Sequence, residues 1–261
     1  MTPGSRPQSM PVFLLVKAAF QSLWRQRDDA LRLGFIPTMV CFAGLVYVQG
    51  ALRRSVDFMQ SGTPDLISSG DYLTLLLSLL ISGVAAAVLV ANWLRFMLLG
   101  PMGAIGLGLT IGKPHIAFVV TCFILMFVFS IAFMVICMPL LLLPELLKAI
   151  GIGVAFIVVM VSAARLLLFG VAQAIGQPMS LQQAWSASRA NGVQLASALI
   201  LVWLPLWIVA VMVSTLLDAL GFRELAPHAT LFIAAVFQSA GYILQAIVLA
   251  SAFRQMVGVQ V

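Results

Sequence analysis

The chain has 261 residues, of which 62% are hydrophobic and only 8% charged, with a formal net charge of +6. A soluble globular domain carries a charged share of roughly 25%, so this composition excludes one. Backbone polar groups in lipid must be satisfied internally, which leaves helices or a closed barrel. A barrel needs short segments of alternating polarity, and none occurs here; the reading is all-α.

In chain order, residues 1–11 are polar, carry Pro and Gly, and lack the apolar core of a signal peptide. They are expected to be a disordered tail, with Met10 a plausible alternative start, and residues 12–261 to form one membrane domain. From Val12 to Arg27 the apolar residues Phe13, Val16, Phe20, Leu23 and Trp24 recur at helical spacing, with Lys17, Gln21 and Arg25 largely on the other side. Such a helix lies in the membrane interface. Apolar runs of about 20 residues, enough to cross a core of about 30 Å, then occupy 33–52, 72–94, 116–143, 150–169, 195–217 and 229–253. The second run holds no charge. It is followed by a Gly-rich connector, Gly100 to Gly112, which reads either as a re-entrant loop or as a membrane-surface linker. His115 reads as an interfacial residue. Pro144 to Lys148 reads as a tight hairpin between spans three and four. Ser180 and Gln183 have capping-box spacing, opening a second amphipathic segment through Trp185 to Arg189. Pro37, Pro139 and Pro205 each fall in an odd-numbered span. Cys41, Cys122 and Cys137 lie inside spans and read as buried small hydrophobes.

Charge sets the orientation. With the first residue inside, one side carries Arg6, Lys17, Arg25, Arg27, Arg32, Arg95, Lys113, Arg165, Arg189 and Arg254 against Asp28 and Asp29. The other carries Arg53, Arg54, Lys148 and Arg223 against Asp57, Asp65, Asp71, Glu145, Asp218 and Glu224. Positive residues gather on the cytoplasmic side, so both termini are expected in the cytoplasm of a bacterial inner membrane. A basic patch interleaved with aromatics, as nucleic-acid binding requires, is absent from the sequence.

The stretch from Arg95 to Gly106 aligns without gaps on that from Arg165 to Gly176, with six of twelve positions identical. Ser251 to Arg254 echoes Ser162 to Arg165 at the end of span six. Three hairpins of equal sense, a parallel repeat, are the expected architecture. The repeat places Arg95, Arg165 and Arg254 together at the inner face. There they either snorkel to the headgroups or hold lipid phosphate by forked hydrogen bonds; Lys17, Arg25 and Arg189 would extend that basic collar. On span six, Gln238, Tyr242 and Gln245 share one face, either as interhelical hydrogen-bonding glue or as the lining of a substrate path.

No acidic residue falls inside a span, and ion-coupled carriers generally need ionisable groups there. No phosphate-cradling loop, paired metal-binding histidines or nucleophile elbow occurs, so no enzyme activity, metal or cofactor is expected. Arg165, then Pro178-Met179-Ser180-Leu181, Ala184-Trp185 and Arg189-x-Asn191 together resemble a pattern in bacterial six-span inner-membrane proteins. These include the YciC-like proteins and the membrane domain fused to some glycerophosphodiester phosphodiesterases. Gln182 and Gln183 stand where members often carry an acidic residue, and no phosphodiesterase domain is present. The resemblance implies a six-span inner-membrane protein with no catalytic residues to carry over. The expected role is a scaffold or accessory subunit whose collar meets anionic membrane lipid or a membrane or cytoplasmic protein partner. A small-molecule transport component is the second expectation.

Overall fold

A computed structural model describes residues 11–60, 69–100, 111–221 and 227–257. Nearly all of the expected tail, with Met10, and most of the Gly-rich connector lie outside the described residues. Among those described there are eight helices and no strand: α1 (Val12–Arg25), α2 (Arg27–Gln60), α3 (Ser69–Leu99), α4 (Lys113–Leu140), α5 (Glu145–Ile175), α6 (Leu181–Ala187), α7 (Gly192–Ala219) and α8 (Pro227–Met256). Six of them, α2, α3, α4, α5, α7 and α8, are long and apolar enough to cross a membrane. The protein is an all-α polytopic bundle. The helices outrun the apolar runs at every end except the last of α4.

Local chemistry fixes the ends. The Ser180 hydroxyl accepts from the Gln183 amide at 3.1 Å, while the Gln183 side chain accepts from the Ser180 amide at 2.8 Å. That reciprocal box satisfies two donors that the first turn of α6 would otherwise leave unpaired. Gly176, at φ 75°, ends α5 in the left-handed region, and Gln177 N–H returns to Ala172 O at 2.9 Å. Only glycine takes that conformation without steric cost.

The hairpin between the third and fourth spans differs from expectation. α4 stops at Leu140, the turn occupies 141–144, and Glu145 to Lys148 form the first turn of α5. Pro144 has no N–H to satisfy and sits as the N-cap, and Glu145 meets the positive end of the helix dipole. Lys148 pairs back onto Glu145 at 2.7 Å, so residues that read as turn polarity are a helix start.

The sixth span is the middle of the bundle. α8 packs on α1, α2, α3, α5 and α7, and its most apolar stretch is 44% buried; the corresponding stretch of α4, seated on α3 and α5, is 0% buried. In lipid, apolar side chains gain nothing by leaving hydrocarbon for protein, so close approach of small residues drives association. α8 supplies them: Ala235, Gly241, Ala246, Ala250 and Ala252 are buried along it. A Cβ at Gly241 would run into the indole of Trp203 on α7, and one at Gly44 on α2 into Ser82 on α3. Trp93, Phe118, Leu168, Leu244 and Phe253 fill the space between these contacts.

α1 turns a different stripe inward than its most apolar face suggests. Leu15 and Ala19 are buried against the bundle, Val12, Val16, Phe20 and Leu23 flank them, and Phe13 and Trp24 are exposed. A small residue at 19 lets the helix sit close on α7 and α8, and the large rings are left for the surrounding medium.

Candidate functional site

Three arginines mark the basic end of the bundle: Arg95 and Arg254 near the ends of α3 and α8, and Arg165 ten residues before the end of α5. Arg95 donates through Nη1 to Ala174 O at 2.9 Å, in the last turn of α5. Arg254 donates through Nη2 to Met97 O, in the last turn of α3. Arg165 donates through Nη2 to Trp185 O at 2.8 Å, at the end of α6, and through Nε to Ser188 Oγ at 3.3 Å. The third hairpin therefore clasps the first, the first clasps the second, and the second clasps the short helix that leads into the third. The reason is shared. The last carbonyls of a helix have no partner of their own, carry the negative end of its dipole, and are well met by a cation.

Arg165 is the most elaborated of the three. Its guanidinium lies 3.6 Å from the centroid of the Trp185 ring. Ser188, fully buried, donates to Ala184 O at 2.9 Å while accepting from Arg165. The backbone of Gly192 lies against the aliphatic stem, so close that a Cβ there would be 2.8 Å from Cγ. Each guanidinium has five N–H donors, so one or two such bonds leave Arg165 and Arg254 with capacity for a phosphate.

The other collar residues are placed differently. Lys17 and Arg25 on α1, and Arg189 in the turn between α6 and α7, are exposed at the same end. Nearby, a pocket of about 310 Å³ lies between the α5–α6 loop and the end of α8, lined by Gln177, Pro178, Met179, Gln183, Phe253 and Met256 among others. Sequence reading missed this pocket because its walls come from segments some 75 residues apart.

His115, expected at the membrane surface, is enclosed by protein. It is 4% exposed, and its Nε2 lies 2.9 Å from Asn92 Oδ1 on α3 while Nδ1 accepts from the Gly112 amide at 3.1 Å. With Nδ1 accepting, Nε2 carries the proton and donates to the amide oxygen. Asn92, itself 2% exposed, was the missed partner. Its signal was available: an amide within the uncharged run 72–94 has to be met by something.

On α8, Gln238 donates through Nε2 to Tyr242 Oη at 3.0 Å, and the Tyr242 ring meets Trp203 edge-on at 5.6 Å. Gln245 is half-buried on the same helix. A groove of about 710 Å³ between α7 and α8 is lined by Trp203, Trp207, Ala210, Ala234, Phe237 and Gln238 among others; of the three stripe residues only Gln238 reaches it. Gln238 and Tyr242 thus pair along their own helix, not across helices. Among the described residues no group of three His, Cys, Asp or Glu side chains converges as metal ligands do.

Comparison with protein-family models, with curated proteins and with solved structures finds no match to this chain.

Proposed function

We propose that this protein is a non-catalytic scaffold or accessory subunit of a bacterial inner membrane, whose basic end holds anionic lipid headgroups or a protein partner. The observation that carries the reading is the convergence of Arg95, Arg165, Arg254, Lys17, Arg25 and Arg189 at one end, with the first three used to clasp neighbouring helix ends. A structural clasp surrounded by exposed cations suits a surface that stays rigid while it binds phosphate. The charge asymmetry supports cytoplasmic termini, and the resemblance carried by Arg165, Pro178 and Trp185 is in keeping with a six-span inner-membrane protein.

The test uses the three exposed cations, because substituting the clasping arginines would also loosen the bundle. Lys17→Gln, Arg25→Gln and Arg189→Gln together are expected to lower retained phosphatidylglycerol in native mass spectra at unchanged thermal stability. Equal retention by the variant and the parent would refute the collar. Fusing a periplasm-active reporter to either terminus is expected to give no signal.

A transport component is the second reading, favoured by the α7–α8 groove with Gln238 in its wall. It requires Gln238→Cys to react with a charged, membrane-impermeant thiol reagent. Protection of that thiol would dismiss it.

A further inference from the structure

The pocket between the α5–α6 loop and the end of α8 lies at the level of the collar, and its walls are not apolar alone. Its volume is about 310 Å³. Small-molecule sites range over roughly 300–1,000 Å³, so a headgroup suits this one and a whole lipid does not. Met179, Phe253 and Met256 give it apolar walls, and Gln177 and Gln183 line it with amides. The Gln177 side chain is half-buried and makes no hydrogen bond to a described residue, yet neither of its polar atoms is sealed off. Gln183 uses its carbonyl oxygen on the Ser180 amide at 2.8 Å, which leaves its two N–H donors without a partner among the described residues.

The backbone holds both residues in place. Gly176, left-handed at φ 75°, turns the chain so that Gln177 N–H closes onto Ala172 O at 2.9 Å, and Pro178 follows with no N–H to satisfy. Gln183 is held by the capping box of α6. The two amides together offer four N–H donors and the Gln177 carbonyl oxygen.

Charge decides what could enter. No residue lining the pocket is charged. A phosphate, an ammonium or a carboxylate brought inside would lose water with no counter-charge to meet it. A hydroxyl, with one donor and two acceptor sites, matches an amide without that cost. The cations stand just outside: Arg254 directly follows Phe253, Arg189 lies two residues beyond Ala187, and both are exposed. Arg254 keeps donors after its bond to Met97 O. These cations attract phosphate and repel an ammonium headgroup. The arrangement therefore suits neutral hydroxyls joined directly to a phosphate.

We propose that this pocket receives the terminal glycerol of a phosphoglycerol group, with Gln177 and Gln183 meeting its hydroxyls and Arg254 and Arg189 its phosphate. The inference rests on the collar reading and names the headgroup that the collar selects.

Native mass spectra of the full-length protein, titrated with equal amounts of phosphatidylglycerol and phosphatidylmethanol, provide the test. The second lipid carries the same single charge, with a methyl group in place of the glycerol. Phosphatidylglycerol is expected to be retained about two- to tenfold over phosphatidylmethanol, the range set by one net hydrogen bond. Gln177→Leu keeps the loop backbone and the cations. It is expected to lower that ratio about twofold or more, with phosphatidylmethanol retained as in the parent. Ala187→Leu, which fills the pocket, is expected to abolish the preference; should it fail to fold, Gln177→Leu decides alone. Equal retention of the two lipids by the parent would overturn the pocket and leave the collar standing, whereas retention of neither would overturn both. A preference that survives Gln177→Leu would also overturn the proposal. Soluble glycerophosphoglycerol distinguishes the source of the group. Failure to displace the lipid assigns the pocket to the membrane headgroup, and displacement in the parent but not in Gln177→Leu assigns it to the water-soluble form of the same chemistry.

Discussion

Gly192→Ala offers a sharp test of the Arg165 clasp. A methyl group at 192 would sit 2.8 Å from Cγ and 2.9 Å from Cδ of Arg165. Those atoms are mid-stem, so the side chain cannot yield at its tip alone; the guanidinium has to leave the Trp185 ring and its bonds to Trp185 O and Ser188 Oγ. Hydrogen bonds involving a charged group contribute about 1.5–3 kcal/mol, and a cation–π contact at a partly exposed site about 0.5–1 kcal/mol. Counting one full hydrogen bond and the stacking gives a loss of about 2–4 kcal/mol. Against this, alanine is favoured over glycine in a helix by about 0.5–1 kcal/mol, and less at the first helical position. The clash wins, and Gly192→Ala is expected to destabilise by about 1–3 kcal/mol, read by circular dichroism during unfolding in mixed micelles of increasing SDS fraction. Arg165→Ala removes Cγ and Cδ, so in that background the same change should become neutral or stabilising by up to about 1 kcal/mol. A cost that is the same in both backgrounds would refute the packing argument.

The Asn92–His115 pair should obey the asymmetry of buried hydrogen bonds, in which an orphaned partner costs more than a missing pair. Asn92→Leu and His115→Leu are each expected to lose about 1–3 kcal/mol in the same unfolding assay, and the double variant less than their sum; additivity would argue against the pair. Ser180→Ala removes the cap of a seven-residue helix, which should cost about 1 kcal/mol. Hydrogen exchange at Gln183 and Ala184 is expected to quicken about fivefold, the factor that free energy sets, with core amides of α8 unchanged. Uniform quickening across both would mean that α6 opens only with the whole bundle.

What could be read from sequence followed what physics writes locally. Six spans were legible because each is a long apolar run, and the α6 start because Ser180 and Gln183 carry their own partners three residues apart. The α4–α5 turn was misplaced because Glu145 and Lys148 are as polar as loop residues; Pro144 before an acidic residue was the better guide. The arginines of the collar stand out in the sequence, but what they hold does not. Their partners are carbonyls of Ala174, Met97 and Trp185, and backbone acceptors leave no mark in the order of side chains. The inward stripe of α1 was missed for a related reason. Burial there follows the shape of the neighbouring helices around Ala19, and the largest apolar residues are not the ones that fit.

That the central helix is the last span to be made has a bearing on biogenesis. Five spans are made before α8 arrives to touch α1, α2, α3, α5 and α7, and until then the faces it covers are open. Arg254 then joins the latecomer to α3. A nascent chain halted before residue 227 would keep its spans yet lack their common neighbour, and membrane proteases would meet it in that open form.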